Sequence, residues 1–243
     1  MNTPQAEFLA ATMNTNEKRN TVSISSICRT LWITVAVLLA IHVILTVVHY
    51  RVSELPWLLR QIFDVDEEDS LPTWYSASAL LLTSFVLWIN ARARRQTGDK
   101  LHWYWYGLAG GFLLLSVDEI AGMHETLNSL IEISWAIPGG ILAAFVGGIY
   151  LHFLFQIDRK TAIQFVIGGA LFVGGAVGVE LATESFAEND ELGNNRLDTL
   201  AYYLWTTLEE AMEMAGVLVF LRALLLWMKE QAKPAHGELT LAP

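Results

Sequence analysis

Six stretches of this chain are apolar over the thickness of a bilayer, and no other feature restricts the possible folds as much. They lie at about residues 27–50, 72–90, 102–123, 135–155, 161–186 and 199–228. A spanning helix needs roughly 20 apolar residues, because the hydrocarbon core is about 30 Å thick and each helical residue rises about 1.5 Å. In lipid, backbone N–H and C=O groups must be paired within the segment, which leaves the helix as the solution for such runs. The expected fold is all-α: a polytopic, six-helix transmembrane bundle over residues 27–228, with polar tails at 1–26 and 229–243. The composition agrees, at 53% hydrophobic and only 16% charged residues. The first 26 residues lack the short apolar core of a cleaved signal peptide, so the first span is expected to serve as the anchor. A formal charge of −10 offers no basic surface for nucleic acid. Cys28 is the only cysteine, which rules out an intramolecular disulfide and any cysteine-based metal motif.

The loops set an orientation. Lys18, Arg19, Arg29, Arg92, Arg94, Arg95, Lys100, Arg159, Lys160, Lys229 and Lys233 fall on one side of a six-span chain. Only Arg51, Arg60 and Arg196 fall on the other, and Arg222 lies within the last span. Positive residues collect on the cytoplasmic side, so both termini are expected there, in a bacterial inner membrane. Trp32, Trp74, Trp88, Trp103, Trp105, Trp135, Trp205 and Trp227 all lie near span ends, as an interfacial aromatic belt requires.

Against this apolar background the acids stand out. Span three ends in Ser116-Val117-Asp118-Glu119, followed by His124-Glu125; span five carries Glu180 and Glu184; span six carries Glu209, Glu210 and Glu213. Asp118 lies about 24 Å along from His102, Glu180 about 29 Å from Thr161, and Glu209 about 15 Å below Thr199, at 1.5 Å per residue. With the orientation above, all three groups fall at overlapping depths in the outer half. His49 leaves span one at the same face, below an acidic loop running from Asp64 to Asp69. Ionisable side chains at membrane depth are costly and face a bundle interior or a water-filled cavity. On span three, Asp118, Ala121, Gly122 and Glu125 share one helical face. Glu119 and His124 sit about 100° away from that face, so all four ionisable groups converge only if the helix is distorted or ends near Gly122.

These carboxylates cannot all be ionised together in a dry site; protons, a cation or abundant water must balance them. Lys and Arg are absent from these helix segments. The first expectation is a metal site, with iron, manganese or zinc held by Asp118, Glu119, His124, Glu125, Glu180, Glu184, Glu209, Glu210, Glu213 and His49. Carboxylate-rich helical bundles with one or two histidines suit such ions, although the Glu-x-x-His pair of di-iron bundles is missing here. A metal would activate water or oxygen on a lipid-like substrate reaching the outer leaflet. Two alternatives stand beside it: a proton or cation pathway, disfavoured by the scarcity of ionisable groups in the inner half, and an accessory subunit whose acids meet a basic membrane-protein partner. His42, alone in mid-span, reads as a packing residue. The Asp64–Asp69 loop reads as solvated.

The stretches Phe63-Asp64-Val65-Asp66-Glu67 with Leu71-Pro72-Thr73-Trp74, Ser116-Val117-Asp118-Glu119 with His124-Glu125, and Thr207-Leu208-Glu209-Glu210 with Glu213-Met214-Ala215-Gly216 resemble an uncharacterised family of bacterial multi-pass membrane proteins. The resemblance spans most of the membrane core. It implies that the three stretches serve one site, and it brings no assigned activity.

Overall fold

The computed structural model describes residues 23–124, 126, 134–183 and 199–232. These residues are helical, with no strand among them. Helix α1 is Ile24–Arg51, α2 Trp57–Phe63, α3 Leu71–Gln96, α4 His102–Ala121, α5 Ala136–Leu154, α6 Arg159–Val173 and α7 Leu200–Gln231. From Val173 the sixth helix continues through a π-helical stretch, Gly174–Val179, and on to Thr183. Five helices are long and apolar enough to cross a bilayer: α1, α3, α5, α6 with its continuation, and α7. That is the make-up of a multi-pass membrane protein. Helix α4 has 20 residues, but Asp118 and Glu119 near one end and a polar-aromatic run at the other, His102-Trp103-Tyr104-Trp105-Tyr106, dilute its apolarity.

The helix starts follow the chemistry of their first residues. Ser23, Ser70, Asp158 and Thr199 each accept a hydrogen bond from a backbone N–H of the first turn of α1, α3, α6 and α7. Such caps satisfy donors that have no partner within the helix. Pro72 follows Ser70, in a first turn where its missing N–H costs nothing. The short helix α2 is an addition to the expected loop. Seven residues are too few to carry a readable period, and its apolar side chains Trp57 and Leu58 are exposed.

Helix α7 is the hub. It packs against α1, α3, α6 and the π stretch, while α3 and α4 form a close pair. Two glycines let α6 and α7 touch backbone to backbone: a Cβ on Gly216 would lie 2.6 Å from the Gly168 carbonyl oxygen, and one on Gly168 would lie 2.9 Å from that of Gly216. Small residues at helix crossings serve this purpose in membranes, where dispersion rather than water exclusion drives association.

The largest core cluster fills one end of the bundle. Trp105 packs at a tilt against Trp227 with ring centres 4.6 Å apart, Phe165 stacks on Phe220 at 4.1 Å, and Phe153 meets Trp105 edge-on at 4.9 Å. Leu87 and Leu224, both fully buried, complete it. This end is closed by aromatic packing. The acidic side chains lie toward the other end.

Candidate functional site: an acidic cavity

About three turns of α7 supply the first wall. Tyr202, Thr206, Glu209 and Glu213 recur at i, i+4, i+7 and i+11, one stripe of a helix, and all four line a cavity of about 240 Å³. Glu210 is one position round from Glu209 and does not line it. The π stretch and its flanks supply the second wall through Phe172, Ala176 and Glu180. These walls come close because of Gly175. A Cβ there would lie 2.7 Å from the Glu209 carbonyl oxygen and 3.1 Å from Glu213 Cγ.

The third wall is the end of α4, with Leu115, Asp118 and Glu119. Helix α4 stops at Gly122, whose φ of +51° is the left-handed conformation that glycine adopts without a Cβ penalty. Its N–H returns to the Asp118 carbonyl at 2.8 Å. Beyond this reversal, His124 folds back until its Nδ1 is 3.1 Å from Asp118 Oδ2, and its ring centre is 5.2 Å from that of Trp135. Both His124 and Trp135 line the cavity. Ser76 on α3 stands beside Glu119.

The loop between α2 and α3 closes the cavity. Asp66 lines it, with Tyr202 donating its hydroxyl proton to Asp66 Oδ2 at 3.4 Å. Neighbouring Asp64 turns the other way and is buried, 3.5 Å from His42 Nδ1. The same nitrogen is 3.2 Å from the Phe63 carbonyl oxygen and 3.3 Å from the Val65 nitrogen; it donates to the first or accepts from the second according to its tautomer, and either bond ties the loop to α1. Thr73 fastens its far end by donating to the Glu67 carbonyl at 2.8 Å. Asp64 thus ties the loop to the bundle, while Asp66, Glu67 and Asp69 are exposed, as a solvated acidic loop reads. His42 is a buried contact residue, as a lone mid-span histidine reads, but its contacts are to the loop.

Of the ten residues expected to act together, Asp118, Glu119, His124, Glu180, Glu209 and Glu213 line one cavity. Glu125 and Glu184 lie outside the described residues. His49 lies apart: its ring nitrogens are 3.0 Å from the Leu55 N–H and 3.0 Å from an Arg60 guanidinium nitrogen. Asp66, Tyr202 and Thr206 are further members. The stripe to which Thr206 belongs was readable from the spacing of Glu209 and Glu213, whereas Asp66 enters only through the way its loop folds. Among the described residues, the lining includes no Lys or Arg. Nor do any three His, Cys, Asp or Glu of the described set stand close enough together to ligate one ion directly.

An all-helical multi-pass membrane protein with a carboxylate-lined cavity is thus the class that the fold and the site define. The chain belongs to the family defined by a domain of unknown function, DUF8692, whose profile matches residues 30–228. No curated protein and no solved structure matches it.

Proposed function

We propose that the chain is a six-span protein of the bacterial inner membrane, with both termini cytoplasmic, whose cavity holds a divalent metal ion in the outer half of the bundle and acts on a lipid-like substrate from the outer leaflet. One observation carries the reading: six carboxylates from four separate segments line one cavity, and its lining among the described residues includes no Lys or Arg. Placing a charged side chain at membrane depth costs on the order of 3 kcal/mol even on the mildest scale, so a cluster of this size needs a compensating cation, protons or water.

The donor set fits a hard cation. Carboxylate oxygens dominate, one imidazole is present, and hard ions keep several waters among six or more oxygen ligands. A cavity of about 240 Å³ has room for such a partly hydrated ion. The lack of a ready three-ligand set among the described residues weighs against any directly ligated ion, and most against a closed structural zinc site with its four protein ligands. Manganese or ferrous iron is the best match. Bound there, the ion would supply a Lewis acid and an acidified water. Asp118 would orient His124 through the hydrogen bond between them, Asp66 and Tyr202 would cover the cavity, and Glu209 and Glu213 would anchor the charge. The aromatic packing at the opposite end supports a site entered from one side over a route through the bundle.

The test is elemental analysis of the detergent-purified protein beside Glu209→Gln and Glu213→Gln variants, with Glu210→Gln as a comparison. About one equivalent of metal is expected in the wild type and in Glu210→Gln, and far less in the other two. If no metal is retained after reloading under reducing conditions, the metal reading fails and the carboxylates are to be read as proton carriers.

A further inference from the structure

A second cavity lies outside this site, on the surface between α5 and α6 near their connecting turn. It has a volume of about 530 Å³. Leu151, Leu154 and Phe155 form one wall and Ala162, Ile163, Val166 and Ile167 the other, with Ile157 of the turn between them. The volume falls in the range of sites that hold small amphiphiles. These side chains are open to the surroundings; Phe155 is 84% exposed and Leu151 56%. At their other ends the two elements meet tightly, since a Cβ on Gly140 would lie 3.1 Å from a methyl of Val177.

Among the described residues, Arg159 is the only charged one lining this groove, and it sits at the end of the apolar span, the level at which lipid headgroups lie. Among the described residues it makes no ion pair with an acid. Asp158, one residue earlier, is engaged with its own helix: its Oδ1 accepts the Thr161 N–H at 2.9 Å. An apolar trough ending in one uncompensated guanidinium is complementary to a molecule with an apolar chain and an anionic head. Arg is suited to phosphate because its fork presents parallel N–H donors.

We infer that this groove binds an anionic phospholipid, with an acyl chain along Ile163, Val166 and Ile167 and the phosphate on Arg159. Basic pockets between spanning helices take anionic lipids on these grounds, each basic residue contributing about 1 kcal/mol. The inference is independent of the acidic cavity.

The experiment is native mass spectrometry of the detergent-purified protein with equal amounts of phosphatidylglycerol and phosphatidylcholine. The expected result is an approximately five-fold preference for phosphatidylglycerol, the ratio that about 1 kcal/mol provides. Arg159→Gln should bring that ratio close to one. Lys160→Gln removes the same charge from a residue that does not line the groove and should leave the ratio unchanged. Ile163→Trp, which fills the trough, should reduce binding of both lipids. Thermal melts in detergent confirm that each variant is folded. The inference is overturned if the wild type shows no preference, if Arg159→Gln keeps it, or if Lys160→Gln abolishes it equally. It is also overturned if glycerol phosphate alone displaces the lipid, or if Ile163→Trp instead dissociates a dimer, which would make a second copy of the chain the occupant.

Discussion

His124 and Asp118 meet at 3.1 Å although six positions separate them, because the helix that carries Asp118 ends in a left-handed glycine between them. On an uninterrupted helix these side chains would lie about 600° apart in winding and about 9 Å apart in rise, pointing away from each other. Gly122 thus turns a helix end into one wall of the cavity.

Gly122→Ala should therefore damage the protein more than its size suggests. A left-handed L-residue costs about 1–2 kcal/mol. The new methyl would also collide with the Glu68 carboxylate, which lies against Gly122. A thermal melt should fall by several degrees. Gly111→Ala, at a mid-helix position with open space around it, should leave the melt unchanged or raise it slightly. Equal behaviour of the two variants would remove the special role of Gly122.

The crossing of α6 and α7 gives a second expectation. Gly216→Ala forces a methyl to within 2.6 Å of the Gly168 carbonyl and 2.7 Å of the Phe172 N atom, both backbone atoms that cannot step aside. Overpacking of this kind costs about 1–3 kcal/mol. Gly169→Ala, facing open space on the same helix as Gly168, serves as the comparison and should be tolerated. Reversible unfolding in mixed micelles would measure both.

The turn between α3 and α4 predicts a pH dependence. Partial burial pushes the Asp99 carboxyl up, but the Leu101 N–H at 2.8 Å and the hydrogen bond and charge of Arg94 outweigh it and hold Asp99 below its ordinary 3.8. A carboxylate depressed in the folded state stabilises it above the unfolded pKa, and that contribution is lost as pH falls through the folded value. The gap in melting temperature between wild type and Asp99→Asn should be constant above about pH 5 and close on acidification below about pH 4. A gap that widens in acid would contradict the assignment.

The orientation can be read by labelling. With Cys28 replaced by Ser, an impermeant maleimide added to intact cells should modify Glu67→Cys and leave Arg95→Cys unreacted until the membrane is opened. Both positions are exposed, so accessibility on each face is not in question. The opposite pattern would invert the bundle; reaction at both would break the even span count.

Much of this architecture was legible because bilayer thickness is a hard length scale. The α3 start at Ser70-Leu71-Pro72 and the α6 start at Asp158 lie within a residue or two of where the sequence puts them, since proline and capping chemistry act locally. The gathering of Asp118, Glu119, Glu180, Glu209 and Glu213 followed from depth alone, as charge asymmetry and helical rise are one-dimensional quantities. Azimuth was less legible. Glu210 and Glu209 are adjacent in sequence, yet only Glu209 lines the cavity, and that depends on which partner each face of α7 meets. The turning of Asp66 and Asp64 to opposite sides, and the placement of His49 beside Arg60, depend on the fold of a loop and a seven-residue helix, which periodicity does not encode.

The π stretch at Gly174–Val179 carries a consequence for how this family can vary. A wide turn accommodates about one residue more than an α-helical one. Because the wide turn absorbs that extra residue, losing one residue as the segment regularises would leave Glu180 near its present azimuth, whereas regularising it with no loss would swing Glu180 by about 100°, out of the cavity. Chain length and helix type in this segment are thus set together, and homologues with the same acids but one residue fewer here are expected to carry a regular α-helix and present the same face.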